Sequence, residues 1–487
     1  MIREVLAYQI LKNYMNCPNA NFAKVYINNS YIGLYSNIED ISNNFCAKNF
    51  LSLKHNTLIK CNPPSTPGPA VKSDLKYISA DSSAYAQYYE IKSEHGWNDL
   101  VDLCDIITNN QSFVNSFIDM DRVLWMLAFN NIIINLDSYT GLFAQNYYLF
   151  KDNGGVFNPI VWDLNMSFGG FPFAGSSNTS MGTLSIANMQ NFPFNFHASD
   201  PYWPLINIVM NDAQYKRKYV AHMRTIINEM FADSTYITLA NQMRAVIDTA
   251  VQTDTNKFFT HSQFQNSLNT DISVGNYSIP GIINLMSARA SYLLAQPEFT
   301  ATPPEISDIN SIYSYPYSTA DIKVKVTNAN TNGVYLGLRL NEYKRFVLYE
   351  MYDDGNHNDG TAGDGVYGVA VIADPVNSQF YIYAENSNAA IYSPERAEHE
   401  FFNLKDITAL SYCSNNENSV NIFYNSKEQT INISHTISKH IQIMDLTGKV
   451  IFNDDSMVPA TIDASGFKNG VYLVSLGEYV RKIVVVK

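Results

Sequence analysis

Cysteine is scarce and scattered in this chain of 487 residues. Cys17, Cys46, Cys61, Cys104 and Cys413 form no C-x-x-C and no paired Cys/His spacing, so no structural zinc site is expected. Charge is scarce as well: 16% of residues are Asp, Glu, Lys or Arg against 46% hydrophobic, which excludes long disorder. Basic residues are the poorer half, and a net charge of −13 excludes nucleic acid or an anionic membrane as a general partner. The one basic run, Lys216-Arg217-Lys218, falls in a helical pattern and reads as a solvated helix face. No apolar run reaches about 18 residues, so no membrane span is expected. No apolar h-region follows Met1, so no signal peptide is expected either. The H-E-x-x-H, G-x-x-x-x-G-K-[ST], G-x-G-x-x-G and G-x-S-x-G patterns are all missing. Their absence removes the ordinary zincin, nucleotide, dinucleotide and hydrolase fingerprints.

What is present is a chain long enough for two to four domains of roughly 100–200 residues. Residues 1–16 read as an amphipathic helix. AKVYINNSYIGLYSNIE alternates like two strands turned by Asn28-Asn29-Ser30, and Glu39 ends the second strand. Asp40 or Ser42 caps a short helix carrying Phe45 and Phe50, and LSLKHNTLIKCN carries Lys60 at the end of an extended run. Residues 63–80 are a Pro/Ser-rich loop, and residues 82–135 are mostly helical. Within them FIDMDRVLWMLAFNNIIIN is apolar nearly all round and predicts a buried helix.

The stretch from Asn135 to Gly170 is the chemical centre. The buried helix runs into Asp137, and a hairpin turned by Asp152-Asn153-Gly154-Gly155 carries Asn146 at its start and Asp163 at its end. Two carboxylates and an amide placed by rigid elements suit a divalent metal such as Mg²⁺, which takes one or two carboxylates and keeps its waters. Taken singly, each aspartate also fits a helix cap or a turn. From Asn165 to Ser199 no charged residue occurs, which fits either a substrate lid or a loop packed over an apolar surface. Helical patterns return over residues 201–296.

Pro297 to Pro304 marks a boundary, after which short alternating strands follow at sandwich-like spacing. A second small β domain begins near residue 410. The expected architecture is multidomain, an α+β part over 1–300 followed by two small β-sandwich domains over 301–406 and 410–487.

REVLAYQIL, VYINNSYIGLYSNIED, LIKC, NLDSYTGLFAQNYYLF, PIVWDLNMSFGG, YKRKYVAHMRTIINEMF and INLMSARASYLL, in that order, resemble the spore-coat protein H (CotH) kinase family. The resemblance implies an atypical, secreted protein kinase using ATP and Mg or Mn. It makes Asp137 the first catalytic aspartate, Asp163 the metal-binding aspartate of the W-D motif, and Asn146 the asparagine before the first hairpin strand. Glu39 takes a hinge-like position, and Lys60 matches a lysine of an L-Y-K stretch. Asp137 and Asn146 lie nine positions apart by number, against about five in the usual kinase catalytic loop. The family's domain normally opens with further strands carrying a phosphate-gripping lysine. That segment has no counterpart here, so an N-terminally truncated fragment with an incomplete small lobe is expected.

Residues 410–487 resemble the C-terminal sorting domain of the type IX (Por) secretion system, through IQIMDLTGKVIF, TIDASGFKNGVYLVSL and the terminal KIVVVK. The implied partner is the type IX machinery, and the implied location is outside the cell or on its outer surface. YDDGNHNDGTAGDGVYG resembles a calcium-type loop of extracellular Ig-like modules, with Asp353, Asp354, Asn356, Asn358, Asp359 and Asp364 as oxygen donors. A Gly/Asp turn satisfied by its own backbone is the alternative. Two functions are therefore expected: a kinase that phosphorylates protein Ser/Thr, or a non-catalytic surface or matrix protein that binds through a kinase-like scaffold.

Overall fold

The computed structural model describes residues 2–64, 72–175, 182–315, 318–412, 421–434, 440–454, 460–476 and 479–486. The chain divides into two compact units. One comprises Met1–Ile309, Lys323–Val369 and Val376–Asp406; the other comprises Asn310–Ile322, Ala370–Pro375 and Ile407–Lys487. The strands expected to form a separate middle sandwich are thus shared between the two units.

In the first unit the buried helix forms as its pattern predicts, over Met120–Ile132. Asp119 caps it by accepting from Arg122 N, and every residue except Asp121 and Arg122 is buried. Helices Pro204–Asn211, Ala213–Ile226 and Ile282–Leu294 share the core around it. Arg289, fully buried on the last of these, donates to Asn131 Oδ1 at 2.7 Å and to the Phe192 carbonyl. Burial lowers its guanidinium to about 9, and those acceptors are what keep such a charge tolerable inside. Phe168, Met189, Phe192 and Phe194 are buried against the same core. These four residues of the uncharged 165–199 segment pack over an apolar surface, while Asn165, Met166 and much of 182–191 are exposed.

The N-terminal helix spans Ile2–Leu11 and leads into the hairpin Ala20–Ile27 with Ser30–Ile38. Asn28 and Asn29 turn it at φ 49° and 64°, a left-handed pair that asparagine accepts more readily than most residues. Ser42 caps the following short helix by accepting from Phe45 N. A four-stranded antiparallel sheet runs in the order Glu90–Ile91, Leu58–Cys61, Tyr147–Lys151, Phe157–Val161. Its first strand is too short for its period to be read, and it lies in the stretch expected to be mostly helical. Cys17, Cys46, Cys61 and Cys104 are all free thiols.

A five-stranded antiparallel sheet belongs to the same unit. It comprises Val347–Glu350, Val334–Arg339, Gln379–Glu385, Ala390–Ser393 and Phe402–Asn403. Its aromatic face (Tyr381, Tyr383, Tyr392) closes on Ala221 of helix Ala213–Ile226. The His222 ring stacks between Trp125 and Tyr392, with centroids at 3.7 and 5.0 Å, and its Nε2 lies 2.9 Å from Asp121 Oδ1. Here the reading of Lys216-Arg217-Lys218 as a solvated face is corrected. Lys216 pairs with Glu298 at 2.8 Å, Arg217 with Glu385 at 2.9 Å, and the buried Lys218 ammonium sits 4.7 Å from the Tyr383 ring centre.

The second unit contains a three-stranded sheet, Asn421–Asn425, Thr430–Ser434, Ala460–Asp463, and a four-stranded one, Val450–Asp454, Ile441–Asp445, Gly470–Leu476, Tyr479–Val485. The alternating residues Ile431, Ile433, Ile441, Ile443, Val474 and Leu476 share one buried core, as the period of two predicts for a half-buried sheet. Cys413 lies outside the described residues.

Candidate functional site

The end of the buried helix, the loop after it and the two ends of one hairpin converge on a carboxylate pair. Five non-glycine residues of this span hold left-handed backbone: Ile134, Ala144, Asn146, Asp163 and Phe168, at φ 51°, 44°, 60°, 53° and 57°. A β-branched isoleucine in that region is strained, and such strain persists only where the surroundings over-determine it. Here the Phe168 and Gly169 N–H groups hold the Ile133 and Ile134 carbonyls at 2.8 and 3.1 Å. Ser138 Oγ and Thr140 Oγ1 both donate to Asn135 O. A Cβ on Gly141 would overlap the Leu136 carbonyl, so that position must be glycine. These contacts fix the backbone on either side of Asp137.

Asp137 is half-buried. Gln145 Nε2 donates to its Oδ1 at 2.8 Å, and Asn146 Nδ2 donates to its backbone carbonyl at 2.8 Å. Burial raises its carboxyl to about 6; the nearby Asp163 charge adds to this, and the Gln145 and Asn146 hydrogen bonds work against it. Burial likewise raises Asp163, opposed by the Asn165 N–H and the Lys60 ammonium. The hairpin register sets Tyr147 opposite Val161, and Trp162 N donates to Asn146 O at 3.1 Å, so Asn146 and Asp163 share one end of the hairpin.

Lys60, on the neighbouring strand opposite Tyr148, rests 4.2 Å from the Trp162 ring centre. Its charge reaches Asp163 from beside that ring. Glu39 is held elsewhere: its Oε2 accepts from Asn19 N and Nδ2 at 3.1 and 2.7 Å, at the base of the first hairpin. The site thus gathers Asp137, Asn146, Asp163 and Lys60, with Glu39 engaged by Asn19.

Sequence reading missed several neighbours. Glu4 is raised by burial and then by the Asp163 charge, with Ser36 hydrogen-bonded to it. Tyr8, one turn on, is fully buried and lies in the field of Glu4 and Asp163. Arg3 donates to the Phe168 and Pro280 carbonyls, both at 2.6 Å, and anchors the loop that follows Asp163. The available signal was the i, i+4 spacing of Glu4 and Tyr8 on the first helix. Gln145 was also overlooked, though it directly precedes Asn146.

Among the described residues no three His, Cys, Asp or Glu side chains cluster as a metal cage. The donor set still fits a hard cation shared with phosphates. It offers two carboxylates raised by burial and an amide.

The Asp/Gly loop is built differently. Asp359 accepts from the N–H groups of Asp354, Gly355 and His357 at 2.6, 2.8 and 2.9 Å. Asp353 accepts from Gly363 and Gly365, and Asp364 from Thr361 and Val366. Asp354 takes Asn356 N and His357 Nδ1, and Asn358 turns the chain at φ 56°. Burial alone would raise the Asp359 carboxyl, but its backbone donors together hold it below the usual range.

Residues 1–293 match the family described as CotH kinase protein, and residues 421–486 match the secretion system C-terminal sorting domain. The first match spans more than half of the chain, and the chain belongs to the CotH family. Among curated proteins none matches. Matching solved structures include the BSP domain of a biofilm associated protein, at 13% identity and TM-score 0.13, over 37% of this chain and 30% of that one. A tetra-tandem repeat in the extending region of a large adhesion protein matches at 13% identity and TM-score 0.14, over 38% and 48%. This chain spans less than half the length of either, and at these scores the likenesses carry no argument. No helix among the described residues is long and apolar enough to cross a membrane.

Proposed function

We propose that this chain is an exported CotH-type kinase that transfers the γ-phosphate of ATP to a protein Ser or Thr hydroxyl. The observation that carries the reading is the partly buried Asp137/Asp163 pair, in which the Asp163 charge helps raise the Asp137 carboxyl. Asp137 accepts or orients the proton of the attacking hydroxyl, a task suited to a carboxyl that burial has raised to about 6. A divalent cation, Mg²⁺ or Mn²⁺, held by Asp163 with Asn146, would supply positive charge against the triphosphate. Asn146 ties its amide to the Asp137 carbonyl, so metal ligand and base keep a fixed relation. Lys60 is assigned to the nucleotide through its charge beside Asp163, whereas a nucleotide role for Glu39 would require it to release Asn19. The C-terminal domain addresses the protein to the type IX machinery and so to the cell exterior.

A second reading is a non-catalytic surface or matrix protein that binds through its kinase-like scaffold. Radiolabelled autophosphorylation with Mg-ATP separates the two. The kinase reading expects label on the wild type and none on Asp163→Ala; equal labelling of both, or of neither, contradicts it. Calcium bound through Asp353, Asp354, Asn356, Asn358, Asp359 and Asp364 is a separate proposal. Such an ion would share carboxylates that already accept from backbone amides.

A further inference from the structure

Gln145 sits in the wall of the site, 7% exposed, two residues before the hairpin strand. One end of its amide is used and the other is not. Nε2 donates to Asp137 Oδ1 at 2.8 Å, whereas the buried Oε1 has no partner. An ionised carboxylate accepts only, so the amide must turn its NH₂ toward Asp137 and its oxygen away. An orphaned buried acceptor is costly, and a methionine of similar size would avoid it. An amide kept at that cost is kept for its donor.

We propose that Gln145 is a positioning residue for phosphotransfer: its N–H holds Asp137 Oδ1 and leaves Oδ2 as the oxygen that meets the attacking hydroxyl. This rests on the kinase reading above. The backbone supports the role. Ala144 and Asn146 on either side are both left-handed, at φ 44° and 60°, which fixes where the Gln145 side chain departs from the chain. Asn146 holds the Asp137 carbonyl while Gln145 holds its carboxylate, so consecutive amides clamp one residue at two points. Gln145 touches Asp137 and acts through it.

The test compares Gln145→Met and Gln145→Glu in the full chain, using autophosphorylation rate, the KM for Mg-ATP and thermal stability. Met keeps the size, removes the donor and removes the orphan; Glu replaces the donor with a second acceptor. The expected order of kcat is Gln above Met above Glu. Met should lose about tenfold or more while the KM for Mg-ATP changes less than about twofold, with unfolding temperature equal to or above that of the wild type. On an Asp137→Asn background, Gln145→Met should cost nothing further. A methionine variant with wild-type kcat, a loss of kcat only in step with lost stability, or an additive double variant would overturn the inference. If Asp137→Asn itself retains full activity, the kinase reading fails first, which keeps the two failures distinct.

Discussion

Two acidic regions of the first unit use the same residue type in opposite ways. In the 353–364 loop, Asp353, Asp359 and Asp364 each accept backbone N–H groups at both oxygens, and the result is a closed turn. At the other, Asp137 and Asp163 are partly buried and raised by that burial, and the Asp163 charge raises Asp137 further. One arrangement has spent its carboxylates on its own backbone. The other leaves them in need of a cation or a proton. Acidic residues alone therefore do not mark a candidate site; partly buried ones with raised carboxyls do.

The contrast breaks most sharply at Asp137. Asp137→Asn should reduce autophosphorylation by about 10²–10⁴-fold, the usual worth of a positioned base. The same variant should be more stable at pH 7.5 by about 1–2 kcal/mol. Its folded carboxyl stands near 6 against an ordinary 3.8, so folding favours the protonated form. That contribution is complete below pH 4 and is lost as pH rises through 6, which leaves the charged form as a burden at neutral pH. Urea midpoints measured from pH 4 to pH 8 should therefore converge at the acid end.

Asp359 should behave with the opposite sign. Asp359→Ala should cost about 2–3 kcal/mol near neutral pH, because three backbone donors lose a charged acceptor. Its carboxyl is held below the ordinary range, so its contribution is present above the unfolded value and disappears on acidification through the folded one. A destabilisation of the variant that grows toward low pH would contradict this. The smallest effect concerns calcium. A loop already closed by its amides should show little change in unfolding temperature between EDTA and millimolar calcium. A shift rising steadily with the logarithm of calcium concentration would show that the ion builds the loop.

The sequence made some of this architecture legible and hid the rest, for physical reasons. The Met120–Ile132 helix and the Asn28-Asn29 hairpin follow from local period and turn chemistry, and the structure places both. The proximity of Asp137, Asn146 and Asp163 could be anticipated because one short span, the loop after the buried helix and the hairpin, carries all three. Lys216 to Lys218 were misread because their partners Glu298, Glu385 and Tyr383 lie far along the chain, where helical periodicity gives no hint of a docking sheet. Gln145 was overlooked because a glutamine carries no pattern of its own; only its orphaned oxygen in three dimensions draws notice. The two-residue strand Glu90–Ile91 is fixed by its pairing to Ile59 and Lys60, which no local signal encodes.

Calorimetric titration of ATP into the purified protein, with Mg²⁺ and with EDTA, tests the central claim that Asp163 anchors a metal–nucleotide site. The account predicts binding by the wild type only in the presence of Mg²⁺, and loss of that binding in Asp163→Ala at unchanged unfolding temperature. Magnesium-independent binding, no binding by the wild type, or equal binding by the variant would contradict it.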